Sequence, residues 1–340
     1  MNNIVMFGAG NRAKEIIREI RQYPDLYVGE NIVFCDNNPD LWGKTIAGKQ
    51  IIPPQNIKSE NTDLIVISSI YEKEIRRQLI QELNIDSEKI LLYSEFRNQR
   101  FSHMAYGKRY GNIKKSGLNI LETKNIIIYT AITGKYDDLK EPEYTGKNIT
   151  YVCYTDNYAI KSKNWNIEYI GNKRIDSVYL AKDIKLKPHI YCKDFETSIW
   201  VDGSFQIKDD LSKYVELYGK GKPMLCFPHS ERICVYDEAG ACLVSHKGQK
   251  EQIIEQITTY YQMGYPLNRG LYEMGCIVRN HNDDLVKKLM IDWEKEILRY
   301  SYRDQISFPF VCWKNSFDPD ICDLSIRNNR FLSNKPHNEN

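Results

Sequence analysis

The chain has 340 residues and a mass of 39.9 kDa, with 42% hydrophobic, 12% aromatic and 27% charged residues, too apolar for a disordered chain. Lys and Arg number 47 against 45 Asp and Glu, and the net +2 excludes a bulk electrostatic pull toward nucleic acid or an anionic bilayer. The longest apolar runs, such as Ile126-Ile127-Ile128, fall far short of the ~20 residues a membrane span needs. Two domains are the leading expectation at this length. The opening Met1-Asn2-Asn3-Ile4-Val5-Met6-Phe7-Gly8 has no cationic n-region and meets Gly8 before an apolar h-region develops, so a cytoplasmic protein is expected. Nine Cys, with no C-x-x-C pair and mostly in strand-like segments, read as reduced and buried.

Asn3–Phe7 is a short strand-type run followed by Gly8-Ala9-Gly10-Asn11-Arg12-Ala13, which fits G-x-G-x-x-A. Apolar residues at Ala13, Ile16, Ile17 and Ile20 then keep a helical period. A second strand, Asn31–Cys35, ends in Asp36, where dinucleotide folds carry the acid that binds a ribose hydroxyl. Asp63–Ser68 is a third strand, Tyr71–Leu83 a helix, and Lys89–Tyr93 a fourth strand, so the alternation predicts a small parallel sheet over residues 1–96. Gly8, Gly10 and Asp36 are the nucleotide-binding candidates; the competing reading is that the glycines only permit a tight turn and close packing. With the following Phe34-Cys35-Asp36-Asn37-Asn38-Pro39 stretch, Gly48 and Pro53-Pro54, this segment resembles the Rossmann-like domain that precedes bacterial sugar acyltransferases. That resemblance implies a nucleotide or nucleotide-sugar site.

Periodicity fades after Arg97, and residues 97–123 read as a linker made basic by Lys108, Arg109, Lys114 and Lys115. It is either simply solvated or in contact with an acidic acceptor or the inner membrane face. A second domain is expected over 124–330 and a disordered tail over 331–340. Asn125–Thr130, Asn148–Asp156 and Trp165–Ile170 are strand-like. Ligands in open α/β sheets bind beyond the carboxyl ends of strands, which makes Thr130, Ala131 and Asp156 donor-binding candidates. A helix-like segment between Asp176 and Tyr191 places Lys182 and Lys185 on one face. The strand Thr197–Val201 then ends abruptly in Asp202-Gly203-Ser204. A carboxylate at a strand end beside lysines suits a divalent metal on a diphosphate, or else merely starts a turn.

Five segments in order carry a second resemblance: Ala131-Ile132-Thr133-Gly134-Lys135-Tyr136-Asp137, Ile199-Trp200-Val201-Asp202-Gly203-Ser204, the run from Phe227 to Ala239, the run from Glu273 to Asn282, and the run from Ser301 to Phe308. Across about residues 125–315 they resemble a glycosyltransferase-like family, formerly a domain of unknown function, that includes plant mucilage-related proteins and bacterial polysaccharide enzymes. The resemblance implies a C-terminal GT-A-like α/β domain, a nucleotide-sugar donor and a glycan or lipid-linked acceptor. It also implies Mn²⁺ or Mg²⁺ held by D-x-D, where this chain departs by carrying Ser204 at the second acid. Asp202 and His229 are the metal candidates, with Lys182, Lys185, Arg232, Arg303 and Gln305 as donor-binding residues. His229, Arg232 and Glu238 read equally as a structural network.

Glycosyl transfer passes through an oxocarbenium-like state, so a carboxylate near the reacting centre is expected, and Asp304 and Glu273 are the catalytic candidates. An Asp304 paired tightly with Arg303 would be a poor base. Trp293 and Ile297, four residues apart, read as core. The main reading is a glycosyltransferase of capsule or O-antigen assembly; the alternatives are a non-catalytic nucleotide-sugar binding or scaffolding protein and a nicotinamide oxidoreductase.

Overall fold

The structure is a computed structural model that describes residues 2–22, 24–57, 61–102, 125–134, 137–171, 176–219, 221–322 and 324–335. The chain divides into two compact units, Met1–Met104 and Ala105–Asn340.

In the first unit, strands β1 (Asn2–Phe7), β2 (Glu30–Cys35), β4 (Lys49–Ile52), β5 (Leu64–Ile67) and β6 (Ile90–Leu92) are parallel, and β3 (Thr45–Ile46) forms a hairpin with β4. The sheet order is β3-β4-β2-β1-β5-β6. Helix α1 (Asn11–Gln22) buries Ala13, Ile16 and Ile17 on its apolar stripe. Helix α2 (Glu72–Arg77) runs into a π-turn at Gln78–Glu82, so the expected 71–83 helix is present with its last turn widened. The hairpin escapes sequence reading because its turn is Ala47-Gly48, with Ala47 at φ 50°, where Asn or Asp is the customary signal. Helix α3 (Tyr93–Ser102) corrects the expected start of the linker at residue 97. Phe96 is buried, and Arg97 and Arg100 pair with Glu19 and Glu30, so helical spacing joins this stretch to the unit. Lys108, Arg109, Lys114 and Lys115 lie outside the described residues.

The second unit is built on a seven-stranded sheet of order β14-β12-β13-β10-β7-β8-β9. Strands β7 (Ile126–Ile132), β8 (Ile149–Thr155), β9 (Asn166–Tyr169) and β10 (Thr197–Val201) are parallel. Strand β13 (Tyr272–Asn280) runs antiparallel between β10 and β12 (Met224–Pro228), and β14 (Asp320–Ile321) closes that edge. A separate pair joins β11 (Phe205–Ile207) to β15 (Leu332–Asn334). The latter corrects the expected tail: Leu332 is buried and the backbone of Phe331–Asn334 is held by β11.

The helices are α4 (Ser177–Leu186), the single turn α5 (Pro188–Tyr191), α6 (Leu211–Tyr218), α7 (Val235–Val244), α8 (Lys250–Gln262), α9 (Asp284–Arg299) and α10 (Asp304–Lys314). Asp176 caps α4 by accepting from the Val178 amide, and Pro188 forces Lys187 out of helical geometry, which separates α4 from α5. Ile128, Ile199, Val201 and Val278 pack against Leu211 and Tyr214 on one face of the sheet. The register places Tyr129, Trp200 and Arg279 on the other face, toward α4 and α9. Trp293 and Ile297 are core residues, as their spacing predicts, and all nine cysteines are buried and outside any disulfide. Among the described residues no helix is long and apolar enough to cross a membrane.

Candidate active site

After β7 the chain adds β8 and β9 on one side, then crosses to place β10 on the other. The order therefore reverses at the carboxyl ends of β7 and β10, where α/β sheets open a ligand crevice. Asp202 and Gly203 lie at this point. A Cβ on Gly203 would come within 2.6 Å of Ile132 Cδ1 and 3.4 Å of an Asp137 carboxylate oxygen, so a larger residue would have to displace the tip of Ile132. Strand β7 runs two residues beyond its expected end. Thr130 is thus buried inside the strand and Ala131 half-buried, and the rim is formed by Thr133 and Gly134. Asp156 sits at that rim and accepts from the Gly134 amide at 3.1 Å.

Three charged side chains, Lys182, Lys185 and Asp304, meet beside Asp202. Lys182 and Lys185, one turn apart on α4, both donate to Asp304 Oδ2, at 2.5 and 2.7 Å. Lys185 also donates to Asp202 Oδ1 at 3.3 Å, where the Trp200 indole N–H donates too. Asp304 Oδ1 is buried with no partner among the described residues. Burial alone would raise the Asp304 carboxyl, but the two ammonium groups outweigh it and hold it at about 2. Burial likewise works against Lys185, yet Asp202 and Asp304 together raise it above the usual lysine value. Lys182, dehydrated and sharing one carboxylate, is lowered. Exposure grades outward: the Lys185 side chain is 1% exposed, Lys182 19% and Asp202 39%, so Lys182 and Asp202 are the groups that face solvent.

The expected pairing of Asp304 with neighbouring Arg303 does not form as the dominant contact. Arg303 caps α10 and points to a second cluster, donating to Gln305 at 3.0 Å and lying 3.9 Å from Glu238. Gln305 donates to Glu273 Oε2 at 2.9 Å, and the Ser230 hydroxyl donates to Glu273 Oε1 at 3.2 Å. Arg232 donates to Glu238 at 2.7 Å, and His229 Nε2 lies 3.4 Å from Glu238 and 3.9 Å from Glu273. A slip in the β12–β13 ladder brings this cluster to the first: partners jump from Cys226–Ile277 to Phe227–Glu273, while Gly275 accepts from the Asp202 amide at 2.8 Å. The bulge thereby aims Glu273 at His229 while Gly275 supports Asp202.

A divalent cation requires hard donors with free lone pairs. His229 Nδ1 accepts from the Glu231 and Arg232 amides, both at 3.1 Å, and Nε2 faces Glu238. Its expected metal role does not fit, because both ring nitrogens are engaged within the protein. Asp202 Oδ1 and Asp304 Oδ2 are taken by lysine and indole donors, and Ser204 replaces the second acid. Among the described residues no group of three or more His, Cys, Asp or Glu is arranged to hold a metal ion. The side chains here form a lysine–carboxylate cluster.

The first unit has its own crevice of about 590 Å³, lined by residues including Gly8, Asp36, Asn37, Tyr71, Glu74 and Arg77. Gly8, at φ 122°, is required by packing, since a Cβ would meet the Ser68 carbonyl oxygen at 2.9 Å, whereas Gly10 faces open space. Asp36 accepts from the Ala9 amide at 2.7 Å and from the Asn38 amide at 2.8 Å, so the acid first of all ties the glycine turn to β2.

Buried carboxylates set the acid response. Asp304 and Glu238 both titrate near 2 in the folded chain; for Glu238 the His229 hydrogen bond and Arg232 overcome burial. Their ordinary values are higher, so each stabilises the fold above about pH 5 by about 2–3 kcal/mol, lost as pH falls toward 2. The melting temperature of the second unit is expected to drop steeply between about pH 4 and 2, and less steeply in Glu238→Gln. A flat profile in the parent would contradict the charged pairing.

The fold and this crevice define a glycosyltransferase-like α/β domain behind a Rossmann-like module. Residues 100–329 match the TOD1/MUCI70 glycosyltransferase-like domain, and the chain belongs to that family. Residues 1–91 match the C2185-like N-terminal domain. The chain is 22% identical over 222 residues to the probable hexosyltransferase MUCI70 of Arabidopsis thaliana, covering 57% of this chain and 38% of that protein. Among solved structures, the apo bifunctional glycosyltransferase WbbM aligns with a TM-score of 0.36 and 10% identity over 58% of this chain and 38% of that one. The chain thus spans well under half the length of either relative.

Proposed function

We propose that the second unit is a hexosyltransferase that moves a sugar from a nucleotide-sugar donor to a glycan or lipid-linked acceptor, in capsule or O-antigen assembly. The observation that carries this reading is the convergence of Lys182, Lys185, Asp202 and Asp304 at the strand switch point. Membership of a glycosyltransferase-like family supports it.

In this reading the donor diphosphate lies beyond β7 and β10. Lys182, the more exposed ammonium, supplies positive charge to the leaving group, and Asp202, held by Lys185 and Trp200, accepts from donor hydroxyls. Asp156 and Gly134 shape the rim on the nucleoside side. Arg232 and Arg303 add charge from the second cluster. Glu273, whose carboxyl group accepts from Ser230 and Gln305, takes the acceptor proton. Asp304, clamped by two lysines, organises the cations. Gly8 and Asp36 line a second nucleotide-type site in the first unit, with Gly10 following in the same glycine turn.

A thermal-shift screen of nucleotide sugars on the full chain, followed by a transfer assay, tests this. One donor is expected to stabilise the protein and to be turned over, and Asp202→Ala to lower turnover by about a hundredfold with the fold retained. Turnover equal to the parent in Asp202→Ala removes the role of Asp202. Donor binding without turnover in the parent favours the binding and scaffolding protein, and absence of both defeats the proposal.

A further inference from the structure

Arg279, the penultimate residue of β13, has no solvent exposure, and among the described residues its hydrogen bonds reach no carboxylate. One terminal nitrogen donates to the Lys185 carbonyl at 2.8 Å and contacts Met290 Sδ at 3.2 Å; the other donates to the Tyr129 hydroxyl. Nε has no partner among the described residues. Tyr129, also fully buried, donates its hydroxyl hydrogen bond to the same Lys185 carbonyl at 3.1 Å. A guanidinium stays charged in any protein interior, and burying one against neutral partners is costly. Packing alone would be served by methionine or leucine at this position.

What the cation holds is the end of α4. The Lys185 carbonyl belongs to the last turn, which has no helical partner for it and where positive charge is favoured. From that fixed backbone the Lys185 side chain passes 5.5 Å over the Trp200 ring to Asp202 and Asp304, and Trp200 packs edge-on against Tyr129 at 5.1 Å. Three adjacent strands and one helix end are thereby locked around a single lysine.

We propose that Arg279, with Tyr129, is a positioning residue for the transfer site, acting through the Lys185 carbonyl to fix the ammonium group between Asp202 and Asp304. The functional consequence rests on the proposed donor site; the positioning does not.

The first arm of the test reads the Lys185 ammonium directly by nitrogen-edited NMR of ¹⁵N-lysine-labelled full-length protein, assigned by its loss in Lys185→Met. Arg279→Met is expected to speed exchange of the Lys185 ammonium protons by about tenfold or more, with Tyr129→Phe giving a smaller change and Arg279→Lys a partial recovery. An unchanged Lys185 signal in Arg279→Met overturns the proposal; if that variant does not fold, an unchanged signal in Tyr129→Phe does so.

The second arm is a double-mutant cycle on the apparent affinity for UDP and GDP, titrated separately by calorimetry. Arg279→Met and Lys185→Met are each expected to weaken binding by about tenfold, and the double variant to be no worse than about twofold below Lys185→Met. Fully multiplicative losses mean that Arg279 acts independently, which overturns its action through Lys185. If the parent binds neither nucleotide, the donor-site reading fails in this arm while the NMR arm still decides the positioning.

Discussion

Asp304→Asn is expected to destabilise the second unit by about 3–5 kcal/mol, the range for removing one member of a buried charge pair. The carboxylate is the shared partner of two ammonium groups, one of them 1% exposed, so its loss strands Lys182 and Lys185 against each other with only Asp202 in reserve. Asparagine keeps the shape and can still accept a hydrogen bond, but it cancels none of the charge. Four of the five tryptophans, Trp165, Trp200, Trp293 and Trp313, lie in the second unit, so urea unfolding followed by fluorescence reports chiefly on it. Adding Lys182→Met to Asp304→Asn should recover part of the loss by removing one surplus cation. Stability within about 1 kcal/mol of the parent in the single variant would show that the lysines find other compensation. Transfer activity should fall together with stability, because the lysines are then no longer held toward the crevice.

The sequence reveals half of this arrangement. Asp202 stands out because an acid interrupts an apolar strand, and Lys182 and Lys185 because their spacing shares a helix face. The strand–glycine–helix start of the first unit is legible for the same reason: each signal is local. Asp304 is visible only as a polar residue beside Arg303, since its partners lie 122 and 119 positions earlier. Sequence adjacency misleads there: at the first turn of α10 successive side chains diverge, sending Asp304 to the lysines and Arg303 to Glu238 and Gln305.

The link between Glu273 and Asp202 depends on a ladder slip that no periodicity announces. Arg279 offers one faint signal, a cation in a strand whose neighbours Met274–Val278 are all buried. Its meaning appears only when β7, β10 and α4 converge on it. His229 is the reverse case. A histidine after a strand reads as a metal ligand or as part of a structural network, and only its local backbone turn, which delivers two amides to Nδ1, shows the hydrogen bonds that favour the network.

Glu273→Gln separates the two catalytic candidates. A general base must be ionised, reachable and able to gain a proton. Asp304 satisfies the first condition too strongly: held at about 2 by two ammonium groups, it has little affinity for a proton at neutral pH, and it is more use as the counter-charge that keeps the lysines in place. Among the described residues Glu273 is contacted by a hydroxyl, an amide and, at 3.9 Å, the imidazole Nε2, none of which is a fixed cation in direct contact. Glutamine preserves the shape and, with its amide oxygen toward Gln305, the stronger of the two hydrogen bonds. The expected result is therefore a fall in kcat of about 10²–10⁴ with melting temperature and donor KM close to the parent. A rise in donor KM accompanying the fall in kcat would instead place Glu273 against the donor, and an unchanged kcat would leave the transfer without this base. Glu238→Gln is the informative contrast. That side chain is buried, bound by Arg232 and His229 and held near 2, so its loss should lower the melting temperature through the stranded arginine before it alters the chemistry.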